Sequence, residues 1–214
     1  MLQIQQILPT YFDPTACAHS ELWLQSIEVE PGERIQIQAP SGSGKTSLTH
    51  FLYGMRLEYH GSIRYDGNEL RSLSADALAD LRRDKLAIVF QDMRLFPSST
   101  LRENFEIKRQ LTDHHAPDVM LEWAVRLGID HRLDTPAHRC SYGEQQRASI
   151  IRALLQPFKW LLLDEPFSHL DDANAHRAME LILEESEKQG AAVLLADLEI
   201  VPNYPATRLI RLLA

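Results

Sequence analysis

The chain has 214 residues, 44% hydrophobic and 24% charged, which excludes collagen, coiled coil and a disordered tract. Its 22 basic and 30 acidic residues leave a net charge of −8, a poor balance for a partner as anionic as nucleic acid. Cys17 and Cys140 lie far apart, lack metal-ligand spacing and fit a reduced intracellular protein. The N-terminus has no signal-peptide pattern, and no apolar run approaches the roughly 18 residues of a membrane helix. Any membrane role therefore comes through a partner.

In chain order, residues 2–8 and 22–29 suit strands, with a turn at Pro31-Gly32. Residues 34–38 alternate as a strand does and lead into a loop of small residues, 39–44. Leu48, Phe51, Leu52 and Met55 then fall at i, i+3, i+4 and i+7, which predicts a helix. A short strand is expected at 62–65, a turn at Asp66-Gly67 and a buried strand at 86–90. Residues 92–139 show helical periodicity only. Met120, Trp123, Ala124 and Leu127 form one stripe, with Pro117 near its start and Gly128 past its end. A helix over 141–155, a strand over 160–163, a helix over 172–189 closed by Gly190, and strands over 191–196 and 208–213 complete the reading. Strands alternating with helices predict an α/β fold with a mainly parallel sheet flanked by helices. The expected division is a core of 1–91 and 140–214, with a helical subdomain, 92–139, inserted in it.

Two segments carry chemistry. Residues 39–46, Ala-Pro-Ser-Gly-Ser-Gly-Lys-Thr, follow a strand and open a helix. They match the phosphate-loop pattern G-x-x-x-x-G-K-[ST] except that Ala39 replaces the first glycine. Gly42 and Gly44 let backbone N–H groups turn toward phosphate, and the helix N-terminus adds partial positive charge. Lys45 reaches the β/γ-phosphates and the Thr46 hydroxyl suits Mg²⁺. Downstream, Leu161-Leu162-Leu163 runs into Asp164 and Glu165. Asp164 is placed to hold Mg²⁺ through water, and Glu165 to polarise an attacking water. Either segment alone has a bland reading, a small-residue turn or a strand end with solvated acids; their pairing makes a nucleotide site. Ser141 and Glu144 form a capping box at a helix start, a structural device that is also an anion site. Two helix N-termini cannot easily serve one phosphate from a single subunit, which points to a composite site.

With these residues in place, the chain resembles the ATP-binding cassette (ABC) ATPases over nearly its whole length and in their motif order. Residues 39–46 look like Walker A, 89–92 (Val-Phe-Gln-Asp) like the Q-loop, 140–144 like the signature, 161–165 like Walker B with its glutamate, and 168–171 like the D-loop. The resemblance implies a phosphate-loop NTPase fold with an N-terminal antiparallel β region within 1–85. It implies ATP and Mg²⁺ as ligands. Tyr11, Ser41, Gly42, Ser43, Gly44, Lys45, Thr46, Ser47, Ser141, Gly143 and Asp171 would contact ATP, with Tyr11, or Phe12 in its place, stacking on adenine. Thr46, Gln91 and Asp164 would hold the metal, and Glu165 and Gln91 would serve catalysis. Two copies would close head to tail around ATP. The insert would dock on an integral membrane permease, placing the chain in the cytoplasm on the inner face of the cell membrane. Arg82-Arg83-Asp84-Lys85, Leu95-Phe96-Pro97 and Leu101-Arg102-Glu103-Asn104 look most like the lipoprotein-release, macrolide-export and cell-division group. The insert is too short for the coiled coil of the DNA-repair type.

Three departures stand out: Cys140 for the signature leucine, Tyr142 for its first glycine, and Ala196 at the position of the switch histidine. The last leaves open a nucleotide-dependent switch with weak or no hydrolysis. His114, His115, His131 and His138 match no standard metal-ligand spacing and read as surface histidines.

Overall fold

The computed structural model of the chain describes residues 1–17 and 19–212. In chain order the strands are β1 (Leu2–Pro9), β2 (Ser26–Val29), β3 (Arg34–Gln38), β4 (Tyr59–Tyr65), β5 (Asn68–Glu69), β6 (Leu86–Val89), β7 (Trp160–Asp164), β8 (Ala192–Asp197) and β9 (Arg208–Arg211). The helices are α1 (Lys45–Leu52), α2 (Ala75–Asp84), α3 (Leu101–Arg109), α4 (Asp118–Arg126), α5 (Tyr142–Leu154) and α6 (Asp172–Lys188). Four strands form an antiparallel sheet in the order β2-β1-β4-β5, and five form a parallel sheet in the order β6-β7-β8-β3-β9.

All five residues of β7 are buried, the pattern of a strand covered on both faces. Successive side chains go to opposite faces. Trp160 and Leu162 pack in the core that holds Leu48 and Phe51 of α1 and Leu2 and Ile4 of the antiparallel sheet. Leu161 and Leu163 pack in the core of Ile151 from α5 and Ile182 from α6. Leu101, Phe105, Met120 and Trp123 of α3 and α4 join that second core, so the 92–139 segment packs continuously onto the sheet. Its predicted stripe is buried as expected, with Met120 at 5% and Leu127 at 0% exposure.

The differences from the sequence reading have local causes. The α1 helix ends at Leu52, and Gly54, with φ +71°, turns the chain away before Met55, which is exposed. Residues 22–25 form a turn rather than the start of β2; Leu22 and Trp23 are buried in it and Leu24 takes φ +61°. The unforeseen α2 is capped by Ser74, whose side chain accepts from Ala77 N, and has no fully buried residue. Its apolar stripe is too thin to read by periodicity. Of the last predicted strand, residue 213 lies outside the described residues.

Candidate functional site

The β3 strand feeds the phosphate loop, and the loop feeds α1. Gly42 and Gly44 take φ +84° and +92°. Gly44 is doubly constrained, because a Cβ there would stand 2.9 Å from Trp23 Cζ2 and 3.1 Å from Phe12 Cε2. Trp23 also fixes the loop by donating from Nε1 to Ser43 O at 3.0 Å. Ala39 is fully buried, does not adopt positive φ and donates its N–H to Asp197 O at 2.8 Å. A glycine is therefore not needed at its position. The first-turn N–H groups of α1 have no intrahelical acceptor, and Lys45, Thr46 and Ser47 of that turn line a groove.

That groove, of about 370 Å³, is lined by Tyr11, Phe12, Pro40, Ser41, Gly42, Gly44, Lys45, Thr46, Ser47, Gln91, Glu165 and Leu198. An adjoining hollow brings Thr46, Gln91 and Asp164 together. Lys45 is 7% exposed, with Nζ 3.5 Å from Asp164 Oδ1 and in contact with Glu165 Oε1. Thr49, one turn into α1, donates from Oγ1 to Asp164 Oδ2 at 3.0 Å. The Thr46 hydroxyl lies 3.5 Å from Gln91 Oε1. Tyr11 is half exposed, and its hydroxyl is 2.5 Å from Ser47 Oγ. The Arg56 guanidinium lies 5.4 Å over its ring.

The electrostatics follow from burial. Desolvation lowers the Lys45 pKa, and attraction to Asp164 and Asp197 partly offsets it. Desolvation raises the Asp164 carboxyl, with Lys45 and Thr49 opposing. Asp197, the last residue of β8, is also raised by burial. One lysine thus meets Asp164 and Glu165, and the charge of Asp197 also reaches it. Asp164 Oδ1 accepts no hydrogen bond, and the surplus of carboxylate oxygen beside the Thr46 hydroxyl suits a hard divalent cation.

The backbone at the site is strained. Glu165 has φ +45° and Met93 and Arg94 have φ +58° and +49°, left-handed values uncommon for residues other than glycine. Glu165 is held by its N–H to Ala196 O at 2.9 Å and by Gln146 Nε2 to its carbonyl at 2.9 Å. Arg152 of α5 donates to the carbonyls of Met93 and Arg94 at 2.7 and 2.5 Å. Gln146 also accepts from His169 N at 2.8 Å, so α5 ties the Glu165 turn and the segment after Gln91 into one unit.

Other candidates stand apart. Ser43 is 4% exposed and does not line the groove. Ser141 caps α5 with the expected box: its Oγ accepts from Glu144 N at 3.3 Å and its N–H reaches Glu144 Oε2 at 2.7 Å. A Cβ on Gly143 would meet His169 O at 2.9 Å. Neither Ser141 nor Gly143 reaches the groove of its own chain. Asp171 caps α6, accepting from Asn174 N and Nδ2 at 2.8 Å each.

Ala196 is 1% exposed, in register with Ile37 and Asp164 inside the sheet. The residue of that strand whose charge is felt at Lys45 is Asp197. Ala196 shares the α1 face of the sheet with Asp164 but does not line the groove, so its missing side-chain donor is not by itself an argument for weak hydrolysis.

Sequence reasoning passed over Trp23, Thr49, Gln146, Arg152 and Asp197. Thr49 sits one turn from Lys45 on the same helix face and was findable by spacing. Trp23, Gln146 and Arg152 act across 19 to 59 positions and Asp197 across 152, and they leave no local signal.

A parallel sheet with a phosphate loop after one strand and paired acids at the end of another defines a phosphate-loop nucleotide-binding domain. The family described as "ABC transporter" matches residues 24–168. A "Macrolide export ATP-binding/permease protein MacB" from Marinobacter nauticus is 35% identical over 79% of this chain and 27% of its own length. A "Pyoverdine export ATP-binding/permease protein PvdT" from Pseudomonas entomophila is 36% identical over 79% of this chain and 26% of its own. A dimeric post-hydrolysis structure of the ATP-binding cassette MJ0796 with ADP and Pi superposes with TM-score 0.80 at 25% identity, covering 93% of this chain and 88% of that one. The chain belongs to the ABC transporter family. It spans about a quarter of the length of those two curated relatives.

Proposed function

We propose that the chain binds and hydrolyses ATP as the motor subunit of an export-type membrane complex. The observation that carries the reading is the groove of the phosphate loop, in which Lys45 meets Glu165 and Gln91, joined at Thr46 and Gln91 to the hollow that holds Asp164. ATP phosphates take the donors of residues 42–47, and Lys45 leaves its carboxylate partners for the β/γ-phosphates. Tyr11 offers its exposed ring to the adenine. Thr46, Gln91 and Asp164 would hold Mg²⁺, which neutralises charge on the transferring phosphoryl group. Once released by Lys45, Glu165 orients and deprotonates the attacking water.

Ser141 and Gly143 are offered to the γ-phosphate held by a second copy, which accounts for their distance from their own groove. The 92–139 segment acts as a helical subdomain whose exposed Phe96 meets the permease. ATP-driven closure of the dimer then moves the membrane partner from its cytoplasmic side. Among the described residues no helix is long and apolar enough to cross a membrane. Steady-state phosphate release from Mg·ATP tests the enzyme reading. The wild-type chain turns over and Glu165→Gln loses at least about 10²-fold; no release above background from the wild type sinks the reading.

A further inference from the structure

The turn between α3 and α4 carries His114 and His115, and α6 carries Glu185 beneath them. One donor atom from each of the three lies within 4.8 Å of the other two. We infer that these residues form a Zn²⁺-class metal site that ties the α3–α4 turn to α6.

Geometry and burial point the same way. His115 Nε2 stands 3.4 Å from Glu185 Oε1, close to the edge of about 3.3–3.4 Å that a tetrahedron with bonds of about 2.0–2.1 Å requires. That nitrogen is buried and has no hydrogen-bond partner, so it is aimed at the carboxylate without being satisfied by it. Trp123 packs on the His115 ring with centroids 4.9 Å apart and fixes its orientation. Glu185 is 3% exposed, and a carboxylate that deep needs compensation. Its protein partners are Gln189 Nε2 at 3.0 Å, a neutral donor, and Lys188 Nζ at 3.5 Å from a lysine that is 66% exposed. His114 lies beside His115 with ring centroids 4.4 Å apart. It is the exposed member, so it can rotate to close the remaining gap at little cost. Two imidazoles and one carboxylate are a donor set for Zn²⁺ rather than Mg²⁺ or Ca²⁺, with water as fourth ligand.

Adjacent histidines alone gave no recognisable spacing. The third donor comes 70 positions later, and only the packing of α6 under the turn supplies it. A bound ion would pin the loop between the insert's two helices to the core. The inference is independent of the nucleotide reading.

The test is a Co²⁺ titration of the full chain after chelator treatment, read by the visible absorption of tetrahedral cobalt and followed by competition with Zn²⁺. One Co²⁺ per chain is expected, displaced by Zn²⁺ with a dissociation constant of about 10 µM or tighter. His114→Ala, an exposed position that leaves folding intact, and Glu185→Gln, which retains a polar group for Gln189, are each expected to weaken binding at least about tenfold. His131→Ala and His138→Ala should leave it unchanged. Circular dichroism of each variant separates lost ligation from lost fold. The site is refuted if no band appears by about 100 µM Co²⁺, or if folded His114→Ala and Glu185→Gln bind as the wild type does. Loss in His131→Ala equal to that in His114→Ala refutes it as well, because the metal would then be held elsewhere.

Discussion

Lys45 is the only cation placed against Asp164 and Glu165 among the described ion pairs, and replacing it with Met separates two consequences of one structure. ATP loses a charge-assisted contact of roughly 1.5–3 kcal/mol, so affinity falls about 10- to 150-fold. The nucleotide-free protein loses the counter-charge of two carboxylates that are 1% and 8% exposed. Breaking a buried pair costs about 3–5 kcal/mol. The open groove lets water reach one side, which favours the lower end, about 3 kcal/mol. For a chain of this size that is a fall of about 6–12 °C in Tm. The loss depends on pH in a fixed direction. Asp164 and Asp197 are already raised in the fold and rise further without the lysine. The folded state then binds more protons than the unfolded one, so stability falls as pH rises through their titration. The deficit against wild type should be smaller near pH 5 than near pH 8, and Glu165→Gln on top of Lys45→Met should recover part of it. Differential scanning calorimetry without nucleotide reads all three. A Tm unchanged at neutral pH, or a deficit that grows on acidification, refutes Lys45 as the counter-charge.

Gly44→Ala should cost about 1–3 kcal/mol for its φ alone, plus the contact with Trp23 Cζ2; urea unfolding and ATP titration should both show the loss. Trp23→Phe removes the bond to Ser43 O and leaves a void where part of a fully buried side chain stood, so at least about 1–3 kcal/mol of stability should go, with ATP affinity weakened in step. Arg152→Met frees the carbonyls of Met93 and Arg94; phosphate release should fall while binding of ADP without Mg²⁺ stays near wild type, because that segment does not line the phosphate loop.

What was legible in the sequence was what short spacing encodes. The phosphate loop declares itself because strand, glycines and Lys45-Thr46 must be contiguous to work. The Ser141–Glu144 box was readable three residues apart and is present as read. The two-faced burial of β7 followed from its unbroken apolar run. The α2 helix was hidden because only Leu78 and Leu81 pack on the core from it. Ala39 looked like a defect only until its backbone proved to need no glycine. Order along the chain cannot show that Ala196 is closed off inside the sheet, in register with Asp164, and does not line the groove. Asp171 caps α6 and does not line the groove of its own chain, a local role that the motif does not disclose. Arg152 and Gln146 act through carbonyls brought near by tertiary packing, and no sequence interval marks them.

Ser141 and Gly143 stand outside the groove of their own chain, where the proposed composite site would place them against a second copy. Light scattering of Glu165→Gln with and without Mg·ATP tests it most directly. The account predicts that ATP doubles the mass at tens of micromolar chain, and that Ser141→Arg abolishes the doubling while ATP remains bound. An ATP-loaded chain that stays monomeric would contradict it.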